Sequence, residues 1–394
     1  MRSFRTYLAL TGAVTLAACG GDTGPQTVGS NPPPVGGSTP TPTPANLLDV
    51  TSTVTYDTVG AFQALDTTTT QTTPKADPSQ ATLGVQSLYT ANAATVNAPN
   101  GSITYSPRDG VFTVKIADSK AAVTRDYNFQ DPAHRTQFSG SDFARFQIPD
   151  LATFNYLQVL DGNAQPVFFY QRPGAKTTFV SLAGFSRVVE NRTTSSTATD
   201  DIVTTTFDGE RGAFVFGQKT PNGQVPVSGE GSYNGDFLAS MVMDPTGGGR
   251  STLQWLTGTS AVKINFATGK ADLALSGTVG EAYVLGTRVA APIDAGSTFS
   301  AKGTAQVDLI RSGGFTGAFT QNTTGANNVG FTTGGIFTGI DFASAAAGGS
   351  TAGASSIDGA FFGPNAVNIG GNFRIVGGIP NQRVDILGAF SGAK

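Results

Sequence analysis

Val262, Ile264 and Phe266 alternate with Lys263 and Asn265, the period of two that a strand with one buried face requires. Ala267-Thr268-Gly269-Lys270 then turns the chain, and Leu273 and Leu275 resume the alternation on the return. Short apolar stretches of the same kind, separated by Gly, Asn and Asp, predict strands over 231–243, 281–289, 298–309, 314–320, 359–362, 367–376 and 384–390. In the last of these Val384, Ile386, Gly388 and Phe390 share one face. Earlier in the chain, residues 111–116 read as a strand, with Asn100-Gly101 and Asp109-Gly110 as turns before it. Apolar runs at 156–160 and 167–170 flank Asp161-Gly162-Asn163 and predict a hairpin. The Thr/Ser runs at 66–73 and 193–199 have no apolar period and read as exposed loops.

Composition agrees with strands. Only 13% of the 394 residues are charged, about half the usual share, while Gly numbers 51 and Thr is frequent. No long window offers the periodic Ala, Leu, Glu and Lys of a long helix. Strands at short spacing with Gly inside them predict a closed antiparallel barrel, because Gly relieves crowding at bends and closure removes exposed edges. The apolar pattern begins at Leu47 and becomes more regular after Pro221 and Pro226. The chain is therefore all-β, with a first β-rich region over 47–225 and a barrel over 226–394, and its last strand is placed to seal the barrel. A net charge of −3 with no basic stripe argues against nucleic acid as a partner.

The N-terminus sets the compartment. Arg2 and Arg5 precede an apolar run over 7–18, too short for a permanent span and suited to a signal segment. The run ends in Leu16-Ala17-Ala18-Cys19, followed by Gly20-Gly21-Asp22. This resembles a bacterial lipobox and implies a signal peptide over 1–18, with a lipidated Cys19 anchoring the mature protein in the membrane. Cys19 is the only cysteine, so no intramolecular disulfide can form, and acylation would consume a thiol hazardous in an oxidising compartment. Several acyl chains give a stable anchor. Gly20 in place of aspartate points to the outer membrane. From 19 to 46 the chain carries seven prolines among Gly, Ser and Thr, the composition of an extended tether.

Three C-terminal segments carry a family resemblance. Gly359-Ala360-Phe361-Phe362-Gly363-Pro364-Asn365-Ala366, then Ile369-Gly370-Gly371-Asn372-Phe373, then Gly388-Ala389-Phe390-Ser391-Gly392-Ala393-Lys394 resemble the closing signature of transferrin-binding protein B-like β-barrel lipoproteins. Gly231-Ser232-Tyr233-Asn234-Gly235 fits that family's first barrel strand. The resemblance is strong over 226–394 and weak over 47–225. It implies one lobe of handle plus eight-stranded barrel, on a surface lipoprotein of the outer membrane that binds a protein or solute ligand, with iron or haem acquisition as the associated role. It also implies a TonB-dependent receptor as partner and export by a surface lipoprotein assembly modulator. The closing motif is a folding device and names no ligand, so the ligand-binding residues stay unassigned. A structural envelope lipoprotein that scaffolds a membrane partner is the alternative reading.

Catalytic chemistry finds no set of residues to carry it. His134, the only histidine, lies in a polar loop, Asp131-Pro132-Ala133-His134-Arg135, and reads as solvent-exposed, with no second histidine to share a metal. Ser260 and Lys263 match a Ser-x-x-Lys pattern that works on a helix; in a strand an offset of three points them to opposite faces. Ser391 and Lys394 repeat the pattern at the chain end, and Asp200-Asp201 reads as a solvated loop. Trp255, the only tryptophan, reads as a barrel-core anchor, and the aromatic runs 168–170 and 361–362 as packing groups. No catalytic, metal or cofactor site is expected; Cys19 is the one site residue assigned.

Overall fold

Alternating apolar residues can be satisfied by a sheet that curls until its first and last strands meet, and the chain does this. A computed structural model describes residues 45–117, 124–244, 251–284, 287–319, 329–342, 355–378 and 383–394. Cys19, the signal segment and the tether up to residue 44 lie outside the described residues. Ten strands come first: β1 (Val54–Asp57), β2 (Val59–Pro74), β3 (Thr82–Ala93), β4 (Gly101–Ser106), β5 (Val111–Ala117), β6 (Thr124–Gln130), β7 (Phe154–Gln158), β8 (Val167–Gln171), β9 (Val180–Ser196) and β10 (Asp200–Gly217). Twelve follow: β11 (Glu230–Asp244), β12 (Thr252–Asn265), β13 (Lys270–Val279), β14 (Ala282–Val284), β15 (Thr287–Val289), β16 (Thr298–Asp308), β17 (Gly314–Phe319), β18 (Gly330–Thr333), β19 (Ile336–Gly339), β20 (Ser355–Phe362), β21 (Asn368–Gly378) and β22 (Arg383–Ala393).

Eight of the later strands close a ring, β11-β12-β13-β16-β17-β20-β21-β22, and β22 returns to pair with β11 from Asn234↔Ala393 to Asp244↔Arg383. The lumen is filled by the inward residue of each alternation, among them Tyr233, Phe237, Leu256, Ile264, Leu273, Phe299, Phe315, Ile357, Phe373, Ile386 and Phe390. A small barrel packed this way is a solid body and not a ligand cavity. Val384, Ile386 and Phe390 point into this core together, as their spacing predicts.

The closing motif has a geometric reading. Pro364–Ala366 form the 3-10 turn between β20 and β21, where Asn365 and Ala366 hold φ of 53° and 55°. A Cβ on Gly371 would lie 2.3 Å from the Asp358 carbonyl oxygen and 2.6 Å from Gly359 Cα, so β20 and β21 meet only because that side chain is absent.

Two more sheets precede the ring in sequence, one in the order β3-β2-β10-β9-β8-β7 and one in the order β1-β4-β5-β6. One face of the six-stranded sheet packs Phe168, Tyr170, Phe185, Phe214 and Phe216 against Ile103, Phe112, Val114 and Phe129 of the smaller sheet. Its other face packs Phe169, Val180, Leu182, Ala213 and Val215 against Leu238, Trp255, Ala360, Phe362 and Ala389 on the barrel's outer wall. Burial on both faces explains the unbroken apolar runs 167–170 and 213–216, which a one-faced strand would interrupt with polar residues.

Several expectations need correction. The Thr/Ser runs are largely strand: residues 66–73 lie inside β2, paired to β10 and β3, and 193–196 close β9, paired to β10, so only 197–199 form the exposed loop expected there. Threonine is β-branched and suits a pleated sheet, and Thr67 and Thr69 are buried there, so a polar run concealed good strand formers. Asn100-Gly101 is no tight turn. Gly101 opens β4, and a Cβ on it would lie 2.4 Å from the Lys115 carbonyl oxygen. The single strand expected over 281–289 is the pair β14 and β15. Trp255 faces outward, because Leu256 takes the lumen position beside it. One short helix, α1 (Gly140–Phe146), was not foreseen; Ser139 and Asp142 form its capping box, the signal that the sequence does display.

Candidate binding surfaces

A solid lumen leaves the outer surface to meet other molecules, and the two ends of the barrel differ. At one end β12–β13, β16–β17 and β20–β21 are joined by the short connections 266–269, 309–313 and 363–367. At the other, the sequence between β13 and β16 (280–297) and between β17 and β20 (320–354) is longer, and its described parts include β14–β15 and β18–β19. The β18–β19 hairpin stands at that second end, paired to the start of β16 at Thr298↔Thr332, and turns through Gly334 and Gly335 at φ of 58° and 83°. Its tip exposes Ile336 and Phe337, at 73% and 41%. An isoleucine and an aromatic held in water on a hairpin are groups that a partner can desolvate.

A second surface lies in the handle. Asp126, Tyr127 and Asn128 of β6, His134, Gln158, Val159, Leu160, Asp161 and Gln165 line a groove of about 830 Å³. His134 is exposed, as expected, and its Nδ1 accepts the Gln130 N–H at 3.0 Å, which leaves Nε2–H to donate into the groove. Behind it Asp131 pairs with Arg135 at 2.5 Å and accepts from the Tyr170 hydroxyl at 2.7 Å, so the loop carrying His134 is braced. Burial pushes the Tyr127 phenol up, and its buried hydroxyl has no hydrogen-bond partner among the described residues. One imidazole donor, two carboxylates, amides and a Val159–Leu160 shelf suit recognition of a polar ligand. They include no nucleophile paired with a base.

Three residues form one tie between the handle and the barrel. Gln147 ends α1 in the left-handed region at φ 51°; its carbonyl accepts the Trp255 indole N–H at 2.6 Å, and its side-chain oxygen accepts Arg211 Nη2 at 2.7 Å. The Arg211 guanidinium lies 5.3 Å from the Trp255 ring, and Phe169 meets that ring edge-on at 5.8 Å. Burial pushes Arg211 down to about 9, and no carboxylate pairs with it among the described residues. No partner charge offsets its desolvation, but its removal leaves the Gln147 side-chain oxygen without a donor; the two effects oppose, and Arg211→Met should change stability by no more than about 2 kcal/mol in chemical denaturation. A loss above about 3 kcal/mol would show that the charge itself holds the handle in place.

Asp358 is a second tie between handle and barrel. It is 7% exposed on β20 and accepts the Val96 N–H at 2.8 Å. Burial, working against the hydrogen bonds from Val96 and Thr316, pushes its carboxyl up to about 6. The folded state therefore holds this proton more tightly than the unfolded chain does. Ionisation costs on the order of 2 kcal/mol at neutral pH, and stability is regained as pH falls through 6 toward 4. Asp358→Asn keeps an oxygen for Val96 N–H. Urea midpoints of the variant should exceed wild type at pH 7.5 and converge with it near pH 4; parallel curves would refute the assignment.

The remaining sequence candidates lie apart. Ser260 is buried and donates to the Ser391 carbonyl at 2.7 Å, while Lys263 is exposed on the other face of β12. Asp200 and Asp201 stand at the exposed tip of β9–β10, with Asp201 3.6 Å from Lys75. No group of three or more His, Cys, Asp or Glu positioned for a metal occurs among the described residues. Phe361 fills the lumen and Phe362 the handle interface, which accounts for that aromatic pair.

No family model and no curated protein matches the sequence. Solved structures do match it. A Trp→Ala variant of transferrin-binding protein B from Haemophilus parasuis Hp5 aligns over 85% of this chain and 76% of its own, at 11% identity and a TM-score of 0.33. Transferrin-binding protein B molecules are thus among the solved structures this chain is similar to. Intact Ap-TbpB, with N and C lobes, aligns over 85% and 77% at 9% identity and a TM-score of 0.33. Isotype 1 transferrin-binding protein B from serogroup B Neisseria meningitidis aligns over 79% and 59% at 13% and 0.30. The closed ring of eight strands stands on its own strand pairing, with β22 returning to β11.

Proposed function

We propose that this chain is a lipid-anchored binding protein of the bacterial outer membrane, fixed through Cys19 and carried to the cell surface on its proline-rich tether. The observation that carries the reading is the side-chain-filled barrel with Ile336 and Phe337 exposed beside its long connections. A solid scaffold offering adaptable groups at one end is suited to binding and gives a substrate no enclosed site. The resemblance of the C-terminal segments to transferrin-binding protein B adds the finer proposal, an iron- or haem-carrying protein as ligand and a TonB-dependent receptor as co-partner.

The test is capture by the purified full chain, with transferrin, haemoglobin and haem as probes. Wild type should retain one of them, and Ile336→Asp with Phe337→Asp should weaken retention at least tenfold while the circular dichroism spectrum stays unchanged. Failure with all three probes, or capture indifferent to the double substitution, would overturn the reading. A scaffold of the envelope is the second reading, favoured by the bare edge of β3. Protease treatment of intact cells separates the two: a surface-displayed chain is digested, and a scaffold facing the periplasm is spared.

A further inference from the structure

The six-stranded sheet has two unlike edges. β7, at one, is five residues long, and Leu157 within it bridges to Arg135, so that edge is short and already covered. β3, at the other, runs for 12 residues with no partner on its outer side among the described residues, and Thr82–Leu88 are exposed throughout. Natural sheets block such an edge with lysine, proline, inward charge or a bulge. β3 has none of these: its sequence, TLGVQSLYTANA, carries no charge and no proline, and its pairing to β2 runs without a break from Thr72↔Thr82 to Ala61↔Ala93. Three of the eight large hydrophobics left exposed among the described residues are on it: Leu83 at 52%, Val85 at 37% and Leu88 at 59%.

Gly84 is an independent observation. Most strand glycines here are required by a neighbour; a Cβ on Gly84 would find only the Thr70 carbonyl oxygen, at an ordinary 3.8 Å. Nothing among the described residues needs this residue to lack a side chain. A glycine inside a strand weakens it and often marks the place where another backbone comes close.

We propose that β3 pairs antiparallel with β3 of a second copy about a two-fold axis at Gly84, joining the two six-stranded sheets into one. The strand fits itself. With Gly84 opposite its own copy the ladder spans Thr82–Gln86, since β3 begins at Thr82 and Leu88 lies beyond it; Leu83 faces Val85 of the second chain and Val85 faces Leu83, all on one face of the joined sheet. Thr82 and Gln86 face each other on the opposite face. An uncharged strand meets its copy without repulsion, and the pairing is isologous and therefore closed, giving a dimer and not a fibre. The inference is independent of which ligand the chain binds.

The test uses the full chain carrying Cys19→Ser, which leaves no other cysteine. Sedimentation should show a dimer at protein concentrations of tens of micromolar, on the order of the affinity a short paired edge supplies. Leu83→Lys, at an exposed position where the fold is not at stake, should weaken dimerisation at least tenfold. Gly84→Cys should form a disulfide-linked dimer under mild oxidation, because directly opposed residues of antiparallel strands lie about 4.5–5.5 Å apart between Cα atoms, within disulfide range. Thr193→Cys, exposed on β9 away from the edge, should not. A chain that stays monomeric, a dimer indifferent to Leu83→Lys, or a Gly84→Cys dimer no more cross-linked than Thr193→Cys would each overturn the proposal.

Discussion

Trp255→Ala should cost about 3–5 kcal/mol of stability, the range for removing a fully packed large aromatic. The indole is 4% exposed between barrel wall and handle, stacks edge-on with Phe169 and lies beside the Arg211 guanidinium. Its removal opens a cavity and also leaves the Gln147 carbonyl without the donor that meets it at 2.6 Å. Trp255→Phe separates the two effects. Most of the packing is retained, and the loss should fall to about 1–3 kcal/mol, the cost of a buried acceptor left unpaired plus the smaller ring. Urea denaturation measures both. A loss below about 1 kcal/mol for the alanine variant would mean that the handle does not depend on this contact.

Gly371→Val should prevent the barrel from forming. The new Cβ would have to occupy space 2.3 Å from one backbone atom and 2.6 Å from another, and neither can yield without separating β20 from β21. The expected loss exceeds about 4 kcal/mol and should appear as insoluble or protease-sensitive protein. Gly84→Ala is the control, since a Cβ there meets nothing closer than 3.8 Å; that variant should fold with stability within about 1 kcal/mol of wild type. A soluble, cooperatively folding Gly371→Val protein would contradict the β20–β21 geometry.

These two residues mark what could be read from sequence. The Gly-Gly of the closing motif and the alternation of Val384, Ile386 and Phe390 were legible because a filled lumen imposes one buried face per strand. Trp255 was recognised as a buried anchor but assigned to the wrong face. Strand alternation fixes which residues share a side, and in 252–256 both sides are buried, so polarity cannot tell lumen from handle. The same two-sided burial made 213–216 a continuous apolar run without a visible period. β2 was concealed for the opposite reason, since its threonines read as polar while their branched side chains suit the sheet. The Ser139–Asp142 capping box was present in the sequence, but a helix as short as α1 has no apolar period to confirm it. Of the candidate surfaces, His134 was foreseen as exposed. The groove around it unites residues from 126 to 165 that only the meeting of β6 with the β7–β8 hairpin brings together. The edge of β3 required the sheet order, which depends on β2 pairing with β10 across more than a hundred residues.

The claim on which the binding-protein account stands is that β22 closes onto β11 beneath the handle. Leu238 and Ala389 are opposed in that pairing, and both face the six-stranded sheet. Methyl-labelled NMR of the full chain should show a strong cross-peak between the Leu238 methyls and the Ala389 methyl, whose Cβ atoms lie about 5 Å apart in such a pair. Absence of that cross-peak, with rapidly exchanging amides along 383–393, would mean an open sheet and would contradict the account.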